Sequence, residues 1–144
     1  MISKWMASAL LMAAVAGATT GCSKREYEGE QRFPLKGKVT VDGQPIDAGT
    51  ISFIGADPEK QRPSGGSILG GVYEVSEAMG ANAGSYRVEI HWQKPTGKSI
   101  RAIDSDEMVQ QRAEGLPDKY HRNTELKAEI GPEKTEFNFD LSTK

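Results

Sequence analysis

Ser85-Tyr86-Arg87-Val88-Glu89-Ile90-His91-Trp92-Gln93 alternates without a break: Tyr86, Val88, Ile90 and Trp92 are apolar or aromatic, and the residues between them are polar. Successive side chains of an extended chain point to opposite sides. This period of two therefore predicts a strand with one face in a core and the other in water. Upstream the same period recurs. Leu35, Gly37, Val39 and Val41 share one face, Lys36, Lys38, Thr40 and Asp42 the other. Asp42-Gly43 then supplies residues that tolerate positive φ, a hairpin signal, with Pro45 limiting how soon ladder pairing resumes. A strand over about 50–54 points Ile51 and Phe53 inward. A polar loop from Gly55 to Gly66, carrying Pro58 and Pro63, leads to a second hairpin, in which Gly70-Gly71 joins Ser67-Ile68-Leu69 to Val72-Tyr73-Glu74-Val75.

Downstream, Leu126, Ala128 and Ile130 alternate with Glu125, Lys127 and Glu129. Gly131-Pro132 then turns the chain into a last strand with Phe137, Phe139 and Leu141 on one face. About seven short strands with Gly-rich turns predict an all-β fold, a seven-stranded antiparallel sandwich with Greek-key connections. Parallel α/β arrangements fail because the helices they need are missing.

One segment, Lys94 to Asn123, breaks the period. Asp104-Ser105-Asp106-Glu107 resembles a capping box and Met108 to Ala113 contains good helix formers, with Gly115 and Pro117 to stop them. A short helix is expected there. Connections this long are uncommon in compact domains and often functional, so this excursion is the first candidate for a binding surface.

At the N-terminus, Lys4 precedes a small and apolar run from Trp5 to Thr20, followed by Gly21 and Cys22, the sole cysteine. A basic start, an apolar stretch shorter than the ~20 residues that cross a bilayer, and small residues at its end describe a secretory signal peptide. Ordinary cleavage near Ala18 and an uncleaved anchor are the other readings of this stretch. Residues 22–34, mixed in charge and poor in apolar side chains, read as a tether, leaving 35–144 for the sandwich. Lys24 and Arg25 sit beside Glu26, Glu28 and Glu30, which dilute any attraction to anionic headgroups.

Removing residues 1–21, whose one charge is Lys4, leaves 17 basic and 20 acidic side chains, a net −3. A nucleic-acid partner would call for a basic face. With one cysteine no intramolecular disulfide can form, so stability must come from packing.

Two resemblances follow from these residues. The sole Cys22 behind Gly21 looks like the lipobox of bacterial lipoproteins. That resemblance implies acylation of the Cys22 thiol, a new N-terminus at Cys22 and a membrane-lipid partner in the cell envelope. Ser23 in the next position mildly favours the outer membrane by the same analogy. Gly37-Lys38-Val39-Thr40-Val41-Asp42-Gly43-Gln44-Pro45-Ile46 followed by Gly49-Thr50-Ile51-Ser52-Phe53 resembles the opening hairpin of carboxypeptidase regulatory-like domains, which have a transthyretin-like sandwich. Gly84-Ser85-Tyr86-Arg87-Val88 resembles a later strand of those domains. Leu116-Pro117-Asp118-Lys119-Tyr120 and Phe137-Asn138-Phe139-Asp140-Leu141 resemble the tail of small planctomycete-type lipoproteins built on them. The shared motifs are structural, and no catalytic residue is carried over.

Candidate chemistry is sparse. His91 falls on the wet face of its strand and His121 follows Tyr120, two distant imidazoles without the fixed spacing of a metal site. Asp104, Asp106 and Glu107 lack the further ligands and the Gly of a calcium loop, and helix capping accounts for them. No Gly-x-Ser-x-Gly elbow is present. Ser64-Gly65-Gly66-Ser67 and Gly70-Gly71 read as turn glycines rather than a phosphate cradle, because a strand follows them. Tyr73 and Tyr86 belong to the core by alternation, with Trp92 left partly open near its strand end. No cofactor is implied. The sequence thus points to a lipid-anchored, extracytoplasmic module for binding, scaffolding or accessory roles, without catalysis, whose partner is an envelope protein or glycan. A transthyretin-related hydrolase or a carbohydrate-binding module are the alternatives. An open cleft gathering His91 or His121 with acids would favour the enzyme.

Overall fold

A computed structural model describes residues 29–144; residues 1–28, with the signal, Cys22 and the first part of the tether, lie outside the described residues. In chain order the strands are β1 (Arg32–Phe33), β2 (Leu35–Val41), β3 (Gln44–Pro45), β4 (Ala48–Gly55), β5 (Ser64–Leu69) and β6 (Val72–Val75). They continue with β7 (Ala81–Asn82), β8 (Gly84–Arg101), β9 (Met108–Glu114), β10 (Lys127–Ile130) and β11 (Phe139–Leu141). Helix among the described residues is limited to two 3-10 turns, Glu77–Met79 and Asp118–Tyr120.

The fold is an all-β sandwich. The larger sheet follows the order β10-β8-β4-β5-β6-β2-β11, with β3 beside β2 and β9 beside β8. Laid flat, β2 would stand three strands from β4, roughly 14 Å at ~4.8 Å per strand. Yet the ring of Phe137, whose amide bonds to the Lys36 carbonyl of β2, lies 6.2 Å from the ring of Phe53 on β4. The sheet therefore folds back on itself, and its apolar faces meet. Val39, Phe53, Ile68, Val88 and Ile90 are wholly buried between them.

Local sequence dictates much of this frame. β2 buries every second residue, as its alternation predicts. Asp42 and Gly43 adopt φ of 50° and 80° in the two-residue turn between β2 and β3, and Gly70 and Gly71 adopt 57° and 77° between β5 and β6. Such left-handed pairs match the twist of the strands they join.

Several expectations need correction. The helix expected over Met108 to Ala113 is strand β9, antiparallel to the far half of β8. Asp104, Ser105, Asp106 and Glu107 form the hairpin tip, closed by a bond from the Ala102 amide to the Glu107 carbonyl. Helix propensity lost to cross-strand pairing with a strand that runs on well past Gln93. Asp106 pairs with Arg101 rather than capping a helix.

The polar loop expected to reach Gly66 ends sooner, at Pro63. Gly65 and Gly66 are strand residues opposite Ser52 and Ile51, not turn glycines. A Cβ on Gly65 would sit 2.2 Å from the Ile51 carbonyl oxygen, so the residue is there for close backbone approach. The antiparallel expectation holds for each pair of strands except β2 and β11, which run parallel. Finally, Arg32 and Phe33, assigned to the tether, pair with Asn82 and Ala81. The buried Asn82 side chain donates to the carbonyls of Glu30 and Gln31, so the end of the tether is held against the domain.

Candidate functional site at the root of the β8–β9 arm

β8 is longer than the sandwich needs. Its first half is paired by β4 and β10, whereas from Gln93 onward, among the described residues, it is paired only by β9. The two strands leave the body as a ribbon, the arm. The segment expected to bear a binding surface is this arm together with its return to β10.

The arm is fastened by a cluster of polar side chains. Trp92, packed against the core, donates its indole N–H to Asp47 Oδ1 at 3.0 Å. Arg112 of β9 reaches across β8 to Asp47 Oδ2 at 2.7 Å and also donates to the Gln93 carbonyl. The indole bond, then the Arg112 guanidinium, hold the Asp47 carboxyl down to about 2. Lys94 Nζ stands 5.1 Å from the Trp92 ring centroid. Gly115 lies against the same ring; a Cβ there would come within 2.6 Å of it. Trp92 is thus a structural hub of the arm, and Tyr73 and Tyr86 are core residues at 1% and 2% exposure.

Glu114 ends β9. Its Oε2 accepts from His91 Nδ1 at 2.7 Å, and its Oε1 accepts the amides of Trp92 at 3.1 Å and Leu116 at 2.9 Å. Partial burial pushes its carboxyl up, but the hydrogen bonds from Leu116, His91 and Trp92 outweigh that and hold it below the ordinary value. The carboxylate stitches β8, β9 and the following turn together.

His121 completes the cluster. The two histidines, distant in the sequence, stack in space at 4.9 Å between ring centroids. His121 is 4% exposed, and its Nε2 donates to the Leu116 carbonyl at 3.1 Å, which places the proton on Nε2. Its Nδ1 is buried without a hydrogen-bond partner among the described residues, and Asp118 stands 3.6 Å from Nε2. Both histidines and two acids are therefore gathered, a juxtaposition that spacing along the chain could not reveal. The Glu114 oxygens, His91 Nδ1 and His121 Nε2 are committed to backbone and to one another, and the His121 ring is enclosed. Among the described residues no group of three or more His, Cys, Asp or Glu is arranged to hold a metal ion.

The far end of the arm has a different character. Ile100 and Val109 face each other across the ladder at 44% and 40% exposure, Met108 is 60% exposed, and Ile103 at the tip is fully exposed. Asp104, Asp106 and Glu107 lie beside them on the tip. A groove of about 780 Å³ lies at the opposite end of β8, lined by Ile54, Arg87, Thr124, Lys127 and Glu129 among others, and includes neither histidine. Among the described residues no helix is long and apolar enough to cross a membrane.

No family model matches the chain, no curated protein matches it, and no solved structure matches it.

Proposed function

We propose that this chain is a lipid-anchored, extracytoplasmic binding or scaffolding module of the cell envelope, in which acylated Cys22 fixes the protein to a membrane and the arm engages a partner. The observation that carries the binding role is the apolar end of the arm. Ile100 and Val109, paired across the ladder, expose large side chains on one face of a ribbon held away from the core, and Met108 on the other face and Ile103 at the tip are also exposed; exposed apolar patches mark interaction sites. The cluster at the root supports the same reading, because the bonds of Asp47, Arg112 and Glu114 orient the arm. The anchor rests on the sole Cys22 behind a short apolar run, and several acyl chains hold a protein at a bilayer where one holds marginally. The partner is an envelope protein or a glycan, reached from a tether that ends where the domain begins, at Arg32.

The finer architecture belongs to the same proposal. The seven strands on the continuous path from β10 to β11 are the transthyretin-like frame, and β1, β3, β7 and β9 are additions to it. Their non-sequential order supports this reading, since β4 and β8, and β2 and β6, pair across intervening strands.

Two measurements test the function. Mass spectrometry of the mature N-terminus, compared with Cys22→Ala, is expected to show a diacyl or triacyl Cys22 and loss of membrane association in the variant; an unmodified thiol ends the anchor reading. A photo-crosslinker at Ile103, compared with one at Lys134, is expected to capture a single identified envelope component from the arm alone. Equal capture from both positions ends the binding reading.

A hydrolytic role is the second reading, and the gathering of His91, His121, Glu114 and Asp118 is what favours it. It predicts that His91→Ala abolishes turnover of small envelope metabolites while the fold persists. No turnover by the intact chain sinks it.

A further inference from the structure

Beyond the arm's tip, the long edge of the arm carries information of its own. A two-stranded ribbon has two unpaired edges, each a row of amide donors and acceptors open to another strand. In the arm the two edges differ. That of β8 carries Lys94, Pro95 and Lys98, and Gly97 at φ 79° interrupts its extended run, all of which discourage pairing. β9 has no proline and no glycine over seven residues. Its two charges are turned away from the edge: Arg112 crosses β8 to Asp47, and Glu114 bonds His91 and the amides of Trp92 and Leu116.

The hydrogen-bond parity of β9 sets which residues face outward. Gly115 gives its amide to Trp92 at one end of the ladder, and Glu107 gives its carbonyl to Ala102 at the other. Gln111, midway, has its carbonyl bonded by Thr96 of β8. Odd-numbered residues therefore turn their amide groups to β8, and Met108, Gln110, Arg112 and Glu114 turn theirs outward.

We infer that two copies of this chain associate through β9, edge to edge and antiparallel, about a two-fold axis at Gln111, to make one four-stranded sheet from two arms. That centre is consistent with the parity, because it pairs outward residues with outward residues: Met108 with Glu114 of the second copy, and Gln110 with Arg112. No like charges lie opposite each other, and Val109 comes beside Ala113 of the second copy, an apolar pair. The interface is isologous, so it closes at two copies and does not propagate. It uses the edge of β9, and leaves Ile103 at the tip for another partner.

Cysteine crosslinking of the full chain in a Cys22→Ser background tests the register. Gln111→Cys places two Cβ atoms across the axis within disulfide reach, so it is expected to link about tenfold faster than Val109→Cys, whose copies lie several residues apart. Adding Gln110→Pro to Gln111→Cys removes an outward N–H only, and is expected to abolish linking while circular dichroism stays that of the folded chain. Linking at Gln111 no faster than at Val109 overturns the inference, as does linking unaffected by a folded Gln110→Pro variant. Sedimentation of the unsubstituted chain in detergent gives a second check: a concentration-dependent dimer is expected, and a monomer at every concentration overturns it.

Discussion

His91 and His121 stack with their ring planes 28° apart, His91 39% exposed along its side chain and His121 nearly enclosed. The partner of each ring makes the two unequal. His91 bonds a carboxylate that water can also reach, whereas His121 bonds a buried backbone carbonyl. Removing Glu114 should be worse than removing His91, because it strips partners from the amides of Trp92 and Leu116 as well as from His91 Nδ1. Glu114→Ala is expected to lose about 2–3 kcal/mol of unfolding free energy, and His91→Ala about 1 kcal/mol or less. Urea denaturation of both variants measures the difference, and equal losses would contradict this account of the arm's root.

Asp47 makes the arm acid-sensitive. Folding lowers its carboxyl from 3.8 to about 2 through the Trp92 indole and the Arg112 guanidinium. A depressed value contributes stability above the unfolded value and loses it as pH falls through the folded one. The contribution is thus present at neutral pH and disappears between pH 3.8 and about 2. Asp47→Asn is expected to be less stable than the parent at neutral pH and to converge with it at the acid end of that window. Denaturation curves at a series of pH values check this, and a gap between the two that stays constant with pH refutes it.

Tyr73 behaves in the opposite sense. It is 1% exposed and donates its hydroxyl to the Phe137 carbonyl at 2.8 Å, tying β6 to the segment beside β2. Burial raises its ionisation above the ordinary value of 10.0, Glu136 adds to the rise, and the bond to Phe137 only partly offsets them. A raised value gives stability that is full below the unfolded value and is lost as pH climbs above it. Tyr73→Phe is expected to lose about 1–2 kcal/mol near neutrality, from the unpaired carbonyl, and to show a shallower alkaline decline than the parent. Alkaline unfolding monitored by circular dichroism reads both effects.

Gly65 tests the sheet packing. Its missing side chain lets the backbones of β4 and β5 approach, with the Ile51 carbonyl where a Cβ would stand. Gly65→Ala is expected to cost about 1–3 kcal/mol because strands, not side-chain ends, must move. Gly43→Ala, with nothing within 4 Å of the added atom, is a contrast in which only the left-handed φ of 80° is strained. Thermal denaturation compares them, and a Gly65→Ala variant as stable as the parent would refute the close-approach reading.

The strands whose side chains alternate are legible in the sequence. Leu35–Val41 is the strand its pattern describes, and Asp42-Gly43 and Gly70-Gly71 are the turns their chemistry demands, because backbone preference and period act within a few residues. Gly65-Gly66 misled, since glycine in a strand and glycine in a turn look alike until the neighbouring strand is known. Met108 to Ala113 misled for a related reason: good helix formers carry little weight against a ladder offered by a strand that overruns the sandwich, and that overrun is not encoded near them. Local patterning alone marks an all-β chain with one cysteine behind an apolar run. That the sheet folds back so that Phe53 meets Phe137, that His91 meets His121, and that β9 presents an edge unpaired among the described residues follow from the three-dimensional arrangement, because each depends on contacts between segments far apart in the chain.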